Sequence, residues 1–283
     1  GMTWPNPGVG CVIVRDGRIL GEGRHVLCGA EHAELRALED CRARGYDPAG
    51  ATVYVTLAPC TRHGRQPPCV EALVTARVGT VIAAVDDPHQ DDPWPWFEKA
   101  GIAYTVGFLR REAEHLHGGF LTRLRQGRPR FTGKWAITVD GALATISGDA
   151  RWISSPEALA LSRRRRRAFD AILIGSGTAR RDDPRLAAIG ARWHGTDCGP
   201  IRIIVGRDPE LSFGSQLLRT AQAQPLLLVC ETPAADQVEA LSSVGVTTLS
   251  LSDPHDVEQL ALGLGDLGLN EVLVEGGAMV HGA

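Results

Sequence analysis

His32-Ala33-Glu34, Pro59-Cys60 and Pro67-Pro68-Cys69 are the segments whose reading decides this chain. They offer one imidazole and two thiols, with a carboxylate two residues beyond the imidazole. A structural zinc is ordinarily closed by four protein ligands, whereas a catalytic zinc has three and keeps one position open. Zinc lowers the pKa of water in that position to about 7. His32, Cys60 and Cys69 are therefore the candidate ligands of one zinc ion per chain, and Glu34 is the candidate proton carrier beside them. A lone His-x-Glu or a lone Pro-Cys is an ordinary feature of helix faces and cores; the combination in this order carries the reading.

The surrounding residues predict the elements that would hold this group. Val9–Arg15 reads as a strand, Asp16-Gly17 as a hairpin turn, and Arg18–Gly23 as the returning strand. Ala30–Arg44 has helical spacing, with Leu35 and Leu38 on one face and His32 and Glu34 in the first turn. Thr52–Leu57 is a strand ending at Pro59-Cys60, and Pro67-Pro68 stand where a helix can begin. Helix N-termini favour thiolates, so Cys69 is well placed for a metal. Thr80–Val85 and Ile102–Val106 read as further strands, and Glu112–Arg125 as a helix.

Gln126-Gly127-Arg128-Pro129-Arg130 breaks that helix and puts a boundary near residues 118–132. The expected domains are residues 1–125 and 131–283, the second short at its C-terminus. In the second, strands are expected at Trp135–Val139, Ala171–Ile174, Ile201–Val205, Leu226–Val229, Val246–Leu251 and Glu271–Val274. Alternating strands and helices give an α/β class throughout, with a mixed sheet in the first domain. Gly175-Ser176-Gly177-Thr178 and Glu275-Gly276-Gly277 each follow an apolar strand, where backbone amides can approach a phosphate. No Gly-x-Gly-x-x-Gly follows the first strand, so a Rossmann dinucleotide fold is not indicated. The run Arg163–Arg167 reads mainly as a solvated helix face, from which one arginine can turn inward.

Composition sets limits. Apolar residues make up 43% and charged residues 22%, and the net charge is −3, which argues against a dedicated nucleic-acid binder. No apolar run approaches membrane-spanning length and no signal peptide opens the chain. The seven cysteines do not form a secreted disulfide pattern; beyond Cys60 and Cys69, Cys11, Cys28, Cys41, Cys198 and Cys230 are expected reduced and buried, as in the cytoplasm. His89, His115, His117, His194 and His255 have no partner pattern and are expected at the surface.

His-x-Glu followed by Pro-Cys-x-x-Cys is the signature of zinc nucleobase deaminases. Here eight residues, Thr61 to Pro68, separate the cysteines, and Arg62, His63 and Arg65 among them suit an anion. The reading is a small phosphorylated substrate rather than a nucleic acid strand.

From Pro5-Asn6-Pro7-Gly8-Val9-Gly10-Cys11 to Glu275-Gly276-Gly277, through Trp152-Ile153 and Asp182-Asp183-Pro184-Arg185-Leu186, the chain resembles the bifunctional deaminase–reductases of riboflavin biosynthesis. The resemblance implies a cytidine-deaminase-like α/β/α sandwich followed by a dihydrofolate-reductase-like α/β domain. It implies zinc-dependent removal of the 2-amino group of 2,5-diamino-6-(5-phosphoribosylamino)pyrimidin-4-one, then NADPH-dependent reduction of the ribosyl group to ribityl. His32, Cys60 and Cys69 match the zinc ligands and Glu34 the proton shuttle; Asn6 matches a pyrimidine-pocket position. Ala136, Trp152, Thr178, Asp182 and Gly277 match cofactor positions, and Arg166, Leu186 and Glu275 match reductase-substrate positions. The partners implied are a small phosphorylated pyrimidine, with no nucleic acid and no membrane; a homo-oligomer is left open. Departures from the family stand at Ala58, Gln66, His89-Gln90-Asp91-Asp92, Ala150, Ile189 and Gly206. They leave open an alternative: a diverged small-pyrimidine deaminase whose second domain is inactive or serves binding or oligomerisation.

Overall fold

The computed structural model describes residues 3–64, 66–147, 149–150, 153–188, 199–207, 211–212 and 214–282. It divides into two compact units, Pro5–Arg125 and Gln126–Ala283, the latter joined by Gly1–Trp4.

In the first unit, β1 (Gly10–Arg15) and β2 (Arg18–Arg24) form the hairpin, and Asp16 and Gly17 both take positive φ (51° and 73°). These are the values a two-residue type I′ turn demands. Helix α1 (Ala33–Ala43) follows, then β3 (Thr52–Val55), α2 (Cys69–Thr75), β4 (Thr80–Ala83), α3 (Trp94–Ala100), β5 (Ala103–Val106), α4 (Arg110–Leu116) and α5 (Gly118–Gln126). The sheet order is β2-β1-β3-β4-β5; β1 is antiparallel to β2 and β3, and β3, β4 and β5 are parallel. This is the expected mixed sheet. Alternate residues of the strands, Ile13, Val53 and Val81 among them, point into a core closed by Leu38, Leu73 and Phe97.

Helix α1 lies directly on β2 because Gly21 and Gly23 carry no side chain. A Cβ at Gly23 would run into the Ala33 carbonyl and the Ala37 amide, and one at Gly21 into the Ala37 carbonyl and Cys41. That contact fixes which face of α1 is buried: Ala33, Glu34, Ala37, Leu38 and Cys41. Leu35, expected on the same face as Leu38, is only half-buried. The helix also begins later than its apolar spacing suggests, with His32 as the N-cap residue rather than inside the first turn.

The predicted single helix over Glu112–Arg125 is two helices. The break is at His117, whose side chain turns inward so that Nε2 lies 3.2 Å from the Thr56 carbonyl and 3.1 Å from Thr56 Oγ1. His117 is therefore buried (2% exposed), not a surface group. His89, His115 and His255 are exposed as expected, and His194 lies outside the described residues.

The second unit contains β6 (Arg130–Gly133), α6 (Pro156–Arg165), β7 (Ala171–Gly175), α7 (Ser176–Asp182), β8 (Ile201–Val205), α8 (Gln216–Arg219), β9 (Leu226–Cys230), α9 (Ala235–Ser243), β10 (Val246–Ser250), α10 (Val257–Asp266), β11 (Glu271–Val274) and α11 (Ala278–His281). Its six strands are all parallel in the order β10-β9-β8-β7-β11-β6. Central strands β7 and β9 are buried throughout, as two-sided parallel sheets require. The strand expected at Trp135–Val139 is displaced to Arg130–Gly133. It pairs with β11 in the register Arg130↔Glu271, and the Arg130 guanidinium grips the Glu271 carboxylate at 2.7 and 3.0 Å. No helix among the described residues is long and apolar enough to cross a membrane.

Candidate metal centre and reductase site

The hairpin and α1 deliver His32; β3 delivers Cys60 in the loop beyond its end; α2 begins on Cys69 with Pro68 as its N-cap. The N-terminus of α2 holds both sulfurs in place. The Cys69 amide donates to Cys60 Sγ at 3.2 Å, and the Val70 amide donates to the Cys60 carbonyl at 3.3 Å. His32 Nδ1 stands 3.3 Å from Cys69 Sγ and 3.5 Å from Cys60 Sγ, and the three ligand atoms lie within 4.8 Å of one another. Tetrahedral zinc with its usual bonds to nitrogen and sulfur sets those atoms about 3.6 Å apart. The donor set and its spacing therefore fit zinc.

The groups of this cluster shift one another's protonation. Cys69 hydrogen-bonds Cys60, which holds Cys60 down to about 4, and the Cys69 thiol is pushed up in return. Hydrogen bonding to Cys60 also raises the His32 imidazole. Glu34 is 4% exposed, and burial pushes its carboxyl up to about 7.

Asn6 lies four residues before β1, whose first residue pairs with the end of β3: Gly10 donates to Thr56 Oγ1 at 3.1 Å, and the Thr56 amide to the Gly10 carbonyl at 3.0 Å. The chain that follows Asn6 thus enters β1 at the end of the sheet from which β3 runs on to Cys60. Among its described residues, the loop between the cysteines does not offer free cations in the way its composition suggests. Arg62 is forked onto Asp91 at 2.8 and 3.2 Å, His63 lies 3.6 Å from Glu71, and Arg65 is outside the described residues. Of the other cysteines, Cys11, Cys41 and Cys230 are buried, Cys28 is half-buried because it sits in the loop before α1, and Cys198 lies outside the described residues. Sequence reasoning missed His25. It is buried with Nδ1 3.1 Å from the Glu31 carbonyl and its ring edge-on to His32 at 5.4 Å; the only signal was its place just after the second strand.

In the second unit the carboxyl ends of β8, β7 and β11 each carry glycine: Gly206, Gly175, and Gly276-Gly277. The space their side chains would occupy is already used. A Cβ at Gly206 would meet Ser176 Oγ at 2.5 Å, one at Gly276 would meet Val280 at 2.7 Å, and one at Gly277 would come 3.3 Å from Thr178 Oγ1. The departure at Gly206 is thus matched by Ser176. Glycines at the carboxyl ends of parallel strands stand where α/β folds bind phosphates, which fits a dinucleotide cofactor. Thr178 and Gly277 come together there, whereas Asp182 is exposed at the far end of α7. Ala136 sits half-buried in the stretch after β6, and Trp152 lies outside the described residues, as do Ile189 and Arg192.

The three positions matched to the reductase substrate converge. Arg166 donates to both oxygens of Glu275 at 2.8 Å and to the Ala187 carbonyl at 2.9 Å, next to Leu186, which is buried at positive φ (52°). Lys134, not singled out by spacing, brings Nζ to 3.9 Å from Glu275. Arg163, Arg164, Arg165 and Arg167 are exposed, as a solvated face requires.

Comparison with known proteins agrees with both halves. Residues 2–85 match the cytidine and deoxycytidylate deaminase zinc-binding region, and residues 129–283 match the RibD C-terminal domain. The riboflavin biosynthesis protein RibD of Aquifex aeolicus is 37% identical over 280 residues, covering 98% of this chain and 76% of that protein. The solved structure of Acinetobacter baumannii RibD superposes with a TM-score of 0.85 at 31% identity, covering 99% of this chain and 76% of that one. A diaminohydroxyphosphoribosylaminopyrimidine deaminase/5-amino-6-(5-phosphoribosylamino)uracil reductase from Thermotoga maritima gives a TM-score of 0.84 at 33% identity, covering 98% and 76%. With a deaminase zinc centre in one unit and a reductase-type strand edge in the other, the chain belongs to the RibD family of bifunctional riboflavin-biosynthesis enzymes.

Proposed function

We propose that the first unit hydrolyses the 2-amino group from 2,5-diamino-6-(5-phosphoribosylamino)pyrimidin-4-one, and that the second reduces the ribosyl group of the product to ribityl with NADPH. The observation that carries the reading is the triangle of His32 Nδ1, Cys60 Sγ and Cys69 Sγ with a buried carboxylate beside it. His32, Cys60 and Cys69 would hold a zinc ion, and the chemistry it would supply there is a water made acidic enough to attack at neutral pH. Glu34, buried beside these ligands, would hold the proton released by the attacking water and pass it to the departing amine, which would leave as ammonia. Asn6 orients the pyrimidine. The walls around Glu34 exclude bulk water, so its carboxylate works in a fixed geometry.

In the second unit, Thr178 and Gly277 would hold the cofactor, with Ala136, Trp152 and Asp182 as further contacts by resemblance. NADPH supplies the reducing equivalents. Glu275, oriented by Arg166 and facing Lys134, and the turn at Leu186 hold the ribosyl group. No observation favours a binding-only second unit.

The test is direct. Metal analysis of the purified chain is expected to give one zinc per chain, lost when Cys60 or Cys69 is replaced by Ala. NADPH titration of the full chain is expected to show saturable binding that is weakened by Gly277→Val, which would crowd Thr178. Absence of zinc in the folded protein removes the first half of the proposal; absence of NADPH binding removes the second.

A further inference from the structure

Loops that leave adjacent parallel strands lie side by side. β3 and β4 are such a pair, with Val55 opposite Ala83, so the stretch carrying Cys60 runs beside the stretch 84–93 that leads into α3. Hydrogen bonds and an ion pair join the two. Gln90 Oε1 accepts the Thr61 amide at 3.3 Å, Thr61 Oγ1 donates to the Asp91 carbonyl at 3.4 Å, and Arg62 forks onto the Asp91 carboxylate. The second loop is itself braced. The His89 amide donates to Asp87 Oδ1 at 2.9 Å, the Gln90 amide to the Asp87 carbonyl at 3.1 Å, and the Trp94 amide to Asp92 Oδ1 at 2.9 Å.

Thr61 is buried, and a buried amide without an acceptor is costly. Gln90 supplies that acceptor. Cys60 itself is held by the Cys69 and Val70 amides of α2 and faces His32 Nδ1 at 3.5 Å. The residue after it is held by Gln90 and Asp91 from another loop. The Arg62–Asp91 pair is exposed and contributes little alone, so the Thr61 amide is the anchor.

We propose that Gln90 and Asp91 are positioning residues of the metal centre: by fixing Thr61 and Arg62 they keep the Cys60 sulfur aimed into its triangle with His32 and Cys69. The inference deepens the zinc-dependent reading above and rests on it. It also gives a role to a loop that departs from the family's usual sequence. Groups that orient metal ligands cost about 10- to 100-fold in metal affinity or activity when removed.

The experiment compares the zinc-loaded full chain with Gln90→Ala/Asp91→Ala and with Gln90→Glu, which keeps an acceptor oxygen. Zinc affinity is read by competition with a chromogenic chelator, alongside melting temperature and deamination kinetics. The double variant is expected to hold zinc about 10- to 100-fold more weakly, with kcat falling and KM little changed. Gln90→Glu is expected to stay close to wild type. Wild-type zinc affinity in the double variant overturns the proposal, and so does an equal loss in Gln90→Glu. A lower melting temperature with unchanged zinc affinity shows a purely structural brace and also overturns it. Failure of the wild type to deaminate the pyrimidine defeats the proposed function, while the zinc competition still decides the role of Gln90 and Asp91.

Discussion

Glu34→Gln is expected to keep the fold and the zinc of the first unit and to lower the deamination kcat about 100- to 10,000-fold, the usual worth of a positioned acid–base group. The amide has the size and much of the polarity of the carboxyl but can neither accept a proton from water nor pass one to the leaving amine. Glu34 sits on the buried face of α1, beside Ala33, where the helix meets β2. Metal analysis and stopped-time product assays separate the two effects. Near wild-type turnover in Glu34→Gln would remove Glu34 from the chemistry; loss of zinc together with activity would make it a structural support.

The second large effect is expected at Arg166. Its Nε and one terminal nitrogen are committed to Glu275 and the other to the Ala187 carbonyl, so it orients a carboxylate and a strained turn rather than waiting for a phosphate. Its side chain and that of Glu275 are 15% and 7% exposed, which makes the pair a largely but not fully buried one. Among the described residues, Arg166→Ala leaves Glu275 with Lys134, at 3.9 Å. Losing charge-assisted hydrogen bonds of about 1.5–3 kcal/mol should cut the reductase kcat/KM roughly tenfold to a hundredfold. Deamination should be untouched. Glu275→Gln added to Arg166→Ala should recover part of the lost stability, because the uncompensated buried charge is gone. Arg164→Ala, on the exposed face, should change neither activity. Equal losses at Arg164 and Arg166 would mean that the run acts only as a diffuse basic patch.

What the sequence disclosed and what it hid follow from the range of the interactions involved. The hairpin was legible because Asp16-Gly17 is a two-residue signal whose backbone requirement is local. The zinc ligands were legible because the chemistry restricts residue type, order and spacing. β8 and β11 carry apolar runs that need no partner to be recognised. β6 was misplaced because a four-residue edge strand is defined by its pairing with β11, about 140 residues away. The buried face of α1 was misjudged because two glycines on β2, not the helix's own apolar residues, decide how closely it packs. His117 was read as a surface group because nothing adjacent in sequence announces its bond to Thr56. Arg62 has the local sequence of an anion receptor, but Asp91, from another loop, holds it.

The most direct measurement of the central claim is mass spectrometry of 2,5-diamino-6-(5-phosphoribosylamino)pyrimidin-4-one after incubation with the zinc-loaded chain, with and without NADPH. Without NADPH the account predicts accumulation of the deaminated uracil with its ribosyl group intact; with NADPH it predicts the ribityl product and oxidation of the cofactor. An unchanged substrate under both conditions, from a folded chain that carries zinc, would contradict it.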